Sequence, residues 1–204
     1  VTAEQVRTVR QVRLTGPRLA IREFRLDPED VRALHAVLGD PETVRHLAYE
    51  VCDEEECADQ IELSLDEAEE DPRTVYRLAV APAERDGGAP PIGQAVLELE
   101  GTRAASLGCV LRRDTWGRGY AAEVLALLCG FGFGTLGLHR FAARVDPENA
   151  ASVRVLTRAG FRPEGRIRHD LLVRGEWRDS LLFSLLEDEW LRSAAARGWG
   201  EPHP

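Results

Sequence analysis

The chain has 204 residues, 44% hydrophobic and 30% charged, with 35 acidic residues against 26 basic ones and a formal net charge of −9. That length suits one domain with small additions, and the apolar share is enough for a globular core. The acidic balance argues against a nucleic-acid or anionic-membrane binder, and no stretch approaches the roughly 20 apolar residues of a membrane span.

Residues 1–13 read as a polar arm without a clear partner and without the apolar run of a secretory leader. Leu19–Phe24 reads as a strand. A helix is expected from Asp27-Pro28-Glu29, because Asp caps orphan N–H groups and Pro suits a first turn. Val31, Leu34 and Leu38 fall on its inner face, and Asp40-Pro41 interrupts it before a short second piece. Asp53 to Glu70 forms another helix, with Ile61, Leu63, Leu65 and Ala68 as its apolar component. It is rich in acids (Glu54, Glu55, Glu56, Asp59, Glu62, Asp66, Glu67, Glu69). These are either a solvated face or a negative wall for cationic substrates.

Val75–Ala81 and Ile92–Leu99 are expected strands joined by the turn-rich residues 84–91, and Ala104–Leu111 is a third. Tyr120–Phe131 is an apolar helix. Phe141–Val145 is a strand, and Asn149–Ala159 a helix closed by Gly160. Ile167–Val173 and Leu181–Leu186 form a closing hairpin around Arg174-Gly175. The order is mixed α/β, with an antiparallel first half.

Every basic residue is Arg; the chain has no Lys or Met, and Asn149 is its only Asn. A lysine Schiff base is therefore excluded, and phosphate must be met by Arg, hydroxyls or backbone N–H groups. Cys52, Cys57, Cys109 and Cys129 lack zinc-site spacing and are expected as free thiols, which suits a reducing cytoplasm.

Two glycine motifs compete for a phosphate-binding role. Gly132 to Gly137 matches GxGxxG, but it follows a helical run and precedes a strand, the reverse of a dinucleotide site. These glycines are expected to end a helix and turn the chain. Trp116-Gly117-Arg118-Gly119-Tyr120-Ala121 stands where a phosphate loop belongs, between a strand and a helix, with Arg112 and Arg113 close by.

This loop, continued by Ala122-Glu123, resembles the acetyl-CoA pyrophosphate loop of the GNAT N-acetyltransferase superfamily, in the branch of the ribosomal-protein N-terminal acetyltransferases. The likeness continues through Leu138-His139-Arg140, Asn149-Ala150-Ala151-Ser152, Ala159-Gly160-Phe161, Glu164-Gly165 and Gly175-Glu176-Trp177-Arg178-Asp179. Upstream, Leu14-Thr15-Gly16-Pro17-Arg18-Leu19 also matches. The resemblance covers residues 14–192 as the acetyltransferase domain, leaving 1–13 as an arm and 193–204 as a tail.

What the resemblance implies is a mostly antiparallel, seven-stranded mixed sheet flanked by helices. It splays between its fourth and fifth strands, mapped to Ala104–Leu111 and Phe141–Val145. Acetyl-CoA would occupy the split as co-substrate, without a metal. Backbone near Leu111 and Arg113 would bind the pantetheine arm. Gly117, Arg118, Gly119, Tyr120 and Ala121 would take the pyrophosphate. Asn149 would contact pantetheine or water, and Ser152 would assist the departing sulfur; their local alternative is helix capping.

The acceptor expected is a primary amine, either a protein N-terminus or a small cationic amine, attacking directly. The general base is open. In the family it resembles, some ribosomal-protein acetylating members carry Glu at the position aligned with Leu171, which cannot accept a proton. Asp170, His169, Glu164, Glu98 and Glu100, or a water chain, are the replacements, and Asp170 would need a β-bulge to reach the same face. A non-catalytic acyl-CoA sensor and a different donor such as succinyl-CoA are the competing functions. A homodimer is compatible with the sequence.

Overall fold

The computed structural model describes residues 6–84 and 88–197, so parts of the arm, of the 84–91 connection and of the tail lie outside the described residues. Two short strands, β1 (Arg13–Thr15) and β2 (Leu19–Arg22), pair antiparallel. Three helices follow, each begun by an aspartate. Asp27 caps α1 (Pro28–Leu38) by accepting from the N–H groups of Glu29 and Asp30. Asp40 caps the short α2 (Pro41–Val44). Asp53 and Glu56 form a reciprocal capping box on α3 (Glu54–Glu69).

Strands β3 (Val75–Pro82), β4 (Gly93–Leu99) and β5 (Ala104–Leu111) extend the antiparallel sheet. Helix α4 (Tyr120–Gly130) continues into a wider π turn over Phe131–Leu136. Then come β6 (Arg140–Val145), α5 (Ala150–Ala159), the hairpin of β7 (Arg162–Val173) and β8 (Glu176–Leu186), and α6 (Glu187–Arg197).

The strand order is β1-β2-β3-β4-β5-β6-β8-β7. Eight strands stand where seven were expected, because Arg13–Thr15 forms its own ladder with β2. Three residues are too few for alternation to announce a strand. Helix α6 was also not anticipated; its first turn is Glu187, Asp188 and Glu189, and it is anchored by the buried Trp190.

The arm is not free. Arg7 N–H donates to the Leu136 carbonyl, and Val9 N–H to the Tyr76 hydroxyl. The fully buried Arg73 donates to the Arg10 and Val75 carbonyls and holds Glu23 through both terminal nitrogens, at 2.9 and 3.1 Å. A buried guanidinium is tolerable only with such pairing, so the arm completes the core by satisfying it.

The larger core lies on the sheet face covered by α4 and α5, with Leu78, Leu97, Val124, Leu128, Phe141 and Phe161 at its centre. A smaller one under α1 to α3 includes Leu34, Leu38, Val44 and Ile61, and Val110 of β5 packs against it. The wrongly ordered glycine motif belongs to the larger core. A Cβ on Gly132 would collide with the Phe141 ring, and Gly137 takes a left-handed φ of +75° to turn the chain into β6. Gly132 therefore permits close packing inside a continuing helical segment rather than ending it, which corrects part of the expectation.

Candidate active site

Strands β5 and β6 are parallel, and their pairing is confined to three positions: Ala104 with Arg140, Ala105 with Phe141, and Ser106 with Ala142. Past Ser106 and Ala142 the strands run on without pairing to each other. This is the expected splay, between the fifth and sixth strands once β1 is counted.

Strand alternation decides which backbone groups face the split. Arg112 N–H bonds back to the Ile92 carbonyl, so the backbone groups of Leu107, Cys109 and Leu111 point away from β4. The Leu111 carbonyl is already taken by the Trp116 indole N–H at 2.7 Å, and the Arg113 carbonyl by the Trp116 N–H at 3.2 Å. The groups free to meet a ligand are thus displaced from those two carbonyls toward Leu107, Cys109 and the Leu111 N–H. The β-period carried this signal, but it needed the register with β4 to be read. Burial pushes the Cys109 thiol up to about 12, which keeps it protonated and non-nucleophilic.

Beyond β5 a short 3-10 turn (Arg113–Thr115) leads to the glycine loop. Gly117 and Gly119 take φ of +74° and +77°, conformations that side chains rarely adopt. Gly119 is the N-cap of α4, and no side chain caps this helix start. Its first-turn N–H groups are therefore open, with the positive end of the helix dipole behind them. Arg113 and Arg118 are exposed beside the loop. Arg112 is not a third free cation, since Asp114 binds it at 2.7 and 3.1 Å.

Sequence reasoning missed Arg18. It lies over the Tyr120 ring at 4.9 Å, donates to the Arg118 carbonyl, and pairs with the buried Glu123 of α4 at 2.8 Å. This contact fastens the β1–β2 hairpin to the loop.

Helix α5 also starts at the split, just after β6. Asn149 Oδ1 accepts the Ser152 N–H at 3.0 Å, so Asn149 is the N-cap, while no hydrogen bond among the described residues engages the Ser152 hydroxyl. Two helix N-termini thus lie at the open end of the splay. Their positive ends suit an anionic co-substrate, and the unpaired edge of β5 suits an extended amide chain.

The candidate bases separate. Arg140 and the Ser184 hydroxyl bind Glu164 at 2.6–2.8 Å and hold its carboxyl down at about 2, which leaves it poorly suited to take a proton. His169 is exposed, with φ of +51°, and stacks on Trp177. The bulge that Asp170 required is present: the five residues of β7 from Ile167 to Leu171 stand against three of β8, Ser180 to Arg178. Asp170 Oδ2 is buried without a hydrogen bond, 3.7 Å from Arg144 Nε, and Glu100 lies 3.5 Å from the same guanidinium. Glu98 is exposed on β4.

Helix α3 packs chiefly on α1 and on β3, which stands two places from β5 in the sheet. Among its acids, Glu67 is buried against Arg77 and Glu56 closes the capping box. The cysteines are free thiols, and no described helix is long and apolar enough to cross a membrane.

Comparison with known proteins agrees with this geometry. The acetyltransferase (GNAT) domain model matches residues 18–162. The uncharacterized N-acetyltransferase p20 of Bacillus licheniformis is 31% identical over 174 residues, 85% of this chain and 95% of that protein. The spermidine N(1)-acetyltransferase of Escherichia coli K12 is 25% identical over 44% of this chain and 48% of its own length. The ribosomal protein uS5 alanine N-acetyltransferase of the same strain is 33% identical over 43% and 45%. Mycobacterium smegmatis RimJ in complex with CoA-disulfide superposes with a TM-score of 0.74 at 25% identity, covering 92% of this chain and 94% of that one. With the splayed sheet and the open glycine loop already in view, these matches establish that the chain is an N-acetyltransferase belonging to the GNAT family.

Proposed function

We propose that this enzyme transfers an acetyl group from acetyl-CoA to a primary amine on a cationic acceptor, by direct attack of the amine on the thioester. The observation that carries the reading is the unpaired outer edge of β5 running into an uncapped helix start. In this assignment the backbone of Leu107, Cys109 and Leu111 holds the pantetheine arm as an added strand would. The N–H groups of Gly117, Arg118, Gly119, Tyr120 and Ala121 take the pyrophosphate, with Arg113 and Arg118 supplying charge.

The reaction needs a polarised carbonyl, a neutral amine and a stabilised leaving thiolate. A backbone N–H on the outward edge of β5 provides the donor where oxyanion charge develops. Ser152, at the start of α5, donates a hydrogen bond to the departing sulfur, and Asn149 orients the ligand while capping the same helix. The acceptor is either a small polyamine or a protein N-terminus, since relatives named for spermidine and for a ribosomal protein both match this chain.

The deciding experiment follows thiol release from acetyl-CoA with a panel of polyamines, amino-acid derivatives and N-terminal peptides. At least one amine is expected to raise release well above thioester hydrolysis, with the acetylated amine seen by mass spectrometry. CoA binding without acceleration by any amine would return the protein to a sensing role.

A further inference from the structure

Between α2 and the end of β6 lies a pair that the site described so far does not use. His46 Nδ1 is 2.9 Å from Asp146 Oδ2, with the two side chains 18% and 12% exposed. Asp146 immediately follows β6, and its backbone carbonyl accepts the Asn149 N–H at 2.9 Å. The pair therefore stands at the open end of the split, three residues from the cap of α5.

The segment that carries His46 also lies near the end of β5. Asp40, at the start of α2, is held below the usual carboxylate range chiefly by the Thr43 hydroxyl, with a smaller contribution from the charge of Arg113 in the turn that follows β5. Val44 and Leu47 belong to the small core against which Val110 of β5 packs. The segment thus shares a core with Val110 near the end of β5 and, through His46, touches the residue that follows β6.

The geometry assigns His46, oriented by Asp146, as the general base that takes the proton from the acceptor ammonium; this rests on the acetyl-transfer reading above. An ionised carboxylate only accepts hydrogen bonds, so Nδ1 must carry the hydrogen that meets Asp146. In the neutral ring Nε2 is then the basic nitrogen, and no hydrogen bond among the described residues engages it. Asp146 is held ionised: against the penalty of its burial stand the His46 ring, the Glu148 N–H and the charge of Arg178, whose guanidinium lies 3.9 Å away. Near the ring on its own segment, Glu42 and Arg45 pair with each other at 3.1 Å.

The proton balance closes. His46 Nε2 removes one proton from the ammonium, and Asp146 stabilises the imidazolium. The amine lone pair forms the C–N bond, the C–S bond breaks with its electron pair leaving on sulfur, and the second amine proton goes to that thiolate. The imidazolium returns its proton to solvent. Asp170 and Glu100 are less suited, because Arg144 already stands against both.

The test separates a base from a structural pin. His46→Asn keeps an N–H donor where Nδ1 stands but has no basic nitrogen. Turnover with the best amine is expected to fall about 100-fold, and the rise of kcat/KM to move to higher pH, where the acceptor amine is already deprotonated in solution. CoA affinity and melting temperature should stay within error. Wild-type turnover and an unchanged pH profile in His46→Asn would overturn the assignment while leaving the transfer reading intact. A wild-type enzyme that no amine accelerates would instead sink the transfer reading and the assignment with it. Should the variant fold poorly, ¹⁵N spectra of the wild-type histidines decide: a neutral His46 protonated on Nδ1 is expected, and one protonated on Nε2 would overturn the proposal.

Discussion

Glu123, buried in the first turn of α4, accepts three hydrogen bonds from the β1–β2 hairpin, two from Arg18 and one from Leu19: Oε1 accepts the backbone N–H groups of Arg18 and Leu19 at 2.8 and 3.0 Å, and Oε2 accepts Arg18 Nε at 2.8 Å. One carboxylate thus ties the β1–β2 hairpin to the helix that begins at the glycine loop. Glu123→Ala leaves two backbone donors without their acceptor and should cost about 2–4 kcal/mol. Glu123→Gln keeps one amide oxygen for the N–H pair and should cost about half as much. Urea denaturation of the two variants checks the order, and equal losses would mean that only the charge pair matters.

The two glycine motifs should respond oppositely to substitution. Gly119→Val meets only the tip of Arg18 at 3.7 Å, but it strains a φ of +77° and covers the open N–H groups. CoA affinity, read by calorimetry, should fall tenfold or more, which is at least about 1.4 kcal/mol. Gly132→Ala drives a methyl group into the Phe141 ring and should lower stability by about 1–3 kcal/mol with little change in CoA affinity. The reverse pattern would restore GxGxxG as a ligand loop.

Ser152 is expected to act in the transition state rather than in co-substrate binding. Its N–H is already used by Asn149, so Ser152→Ala preserves the helix cap and removes only the hydroxyl. Steady-state kinetics should show kcat reduced about tenfold or more, with the affinity for acetyl-CoA unchanged. An unaltered kcat would leave the side chain without a catalytic part.

Glu164 offers a pH signature. Arg140 and Ser184 lower its carboxyl from 4.5 to about 2 in the folded protein. A depressed folded value means that the contribution is complete above the unfolded value and is lost as pH falls through the folded one. With the side chain 38% exposed, solvent screening reduces the expected contribution to about 1 kcal/mol. The stability gap between wild type and Glu164→Gln should be constant near neutrality, begin to close below about pH 4.5 and shrink toward pH 2. Denaturation midpoints across this range would show it, and a gap independent of pH would contradict the pairing.

Much of this protein was written locally. Asp27, Asp40, Asp53 and Asn149 cap the helices they precede, Gly160 closes α5 with a φ of +98°, and Arg174-Gly175 turns the last hairpin with both φ positive. Those signals lie within a few residues of what they control, so the capped helices, the last hairpin turn and the place of the glycine loop could be read in advance, whereas the three-residue β1 and helix α6 could not. The family resemblance rested on the same short stretches.

What only the tertiary structure decided are the contacts made across long separations. Arg18 and Glu123 are 105 residues apart, and His46 and Asp146 are 100 apart. No local period relates such pairs; they meet because the fold puts β2 near α4 and the segment after α2 against the end of β6. Register decided the rest. It turned Leu107, Cys109 and Leu111 toward the split, placed a bulge beside Asp170, and spent Glu164 on Arg140, because a strand's outward groups are known only once its neighbour has claimed the others.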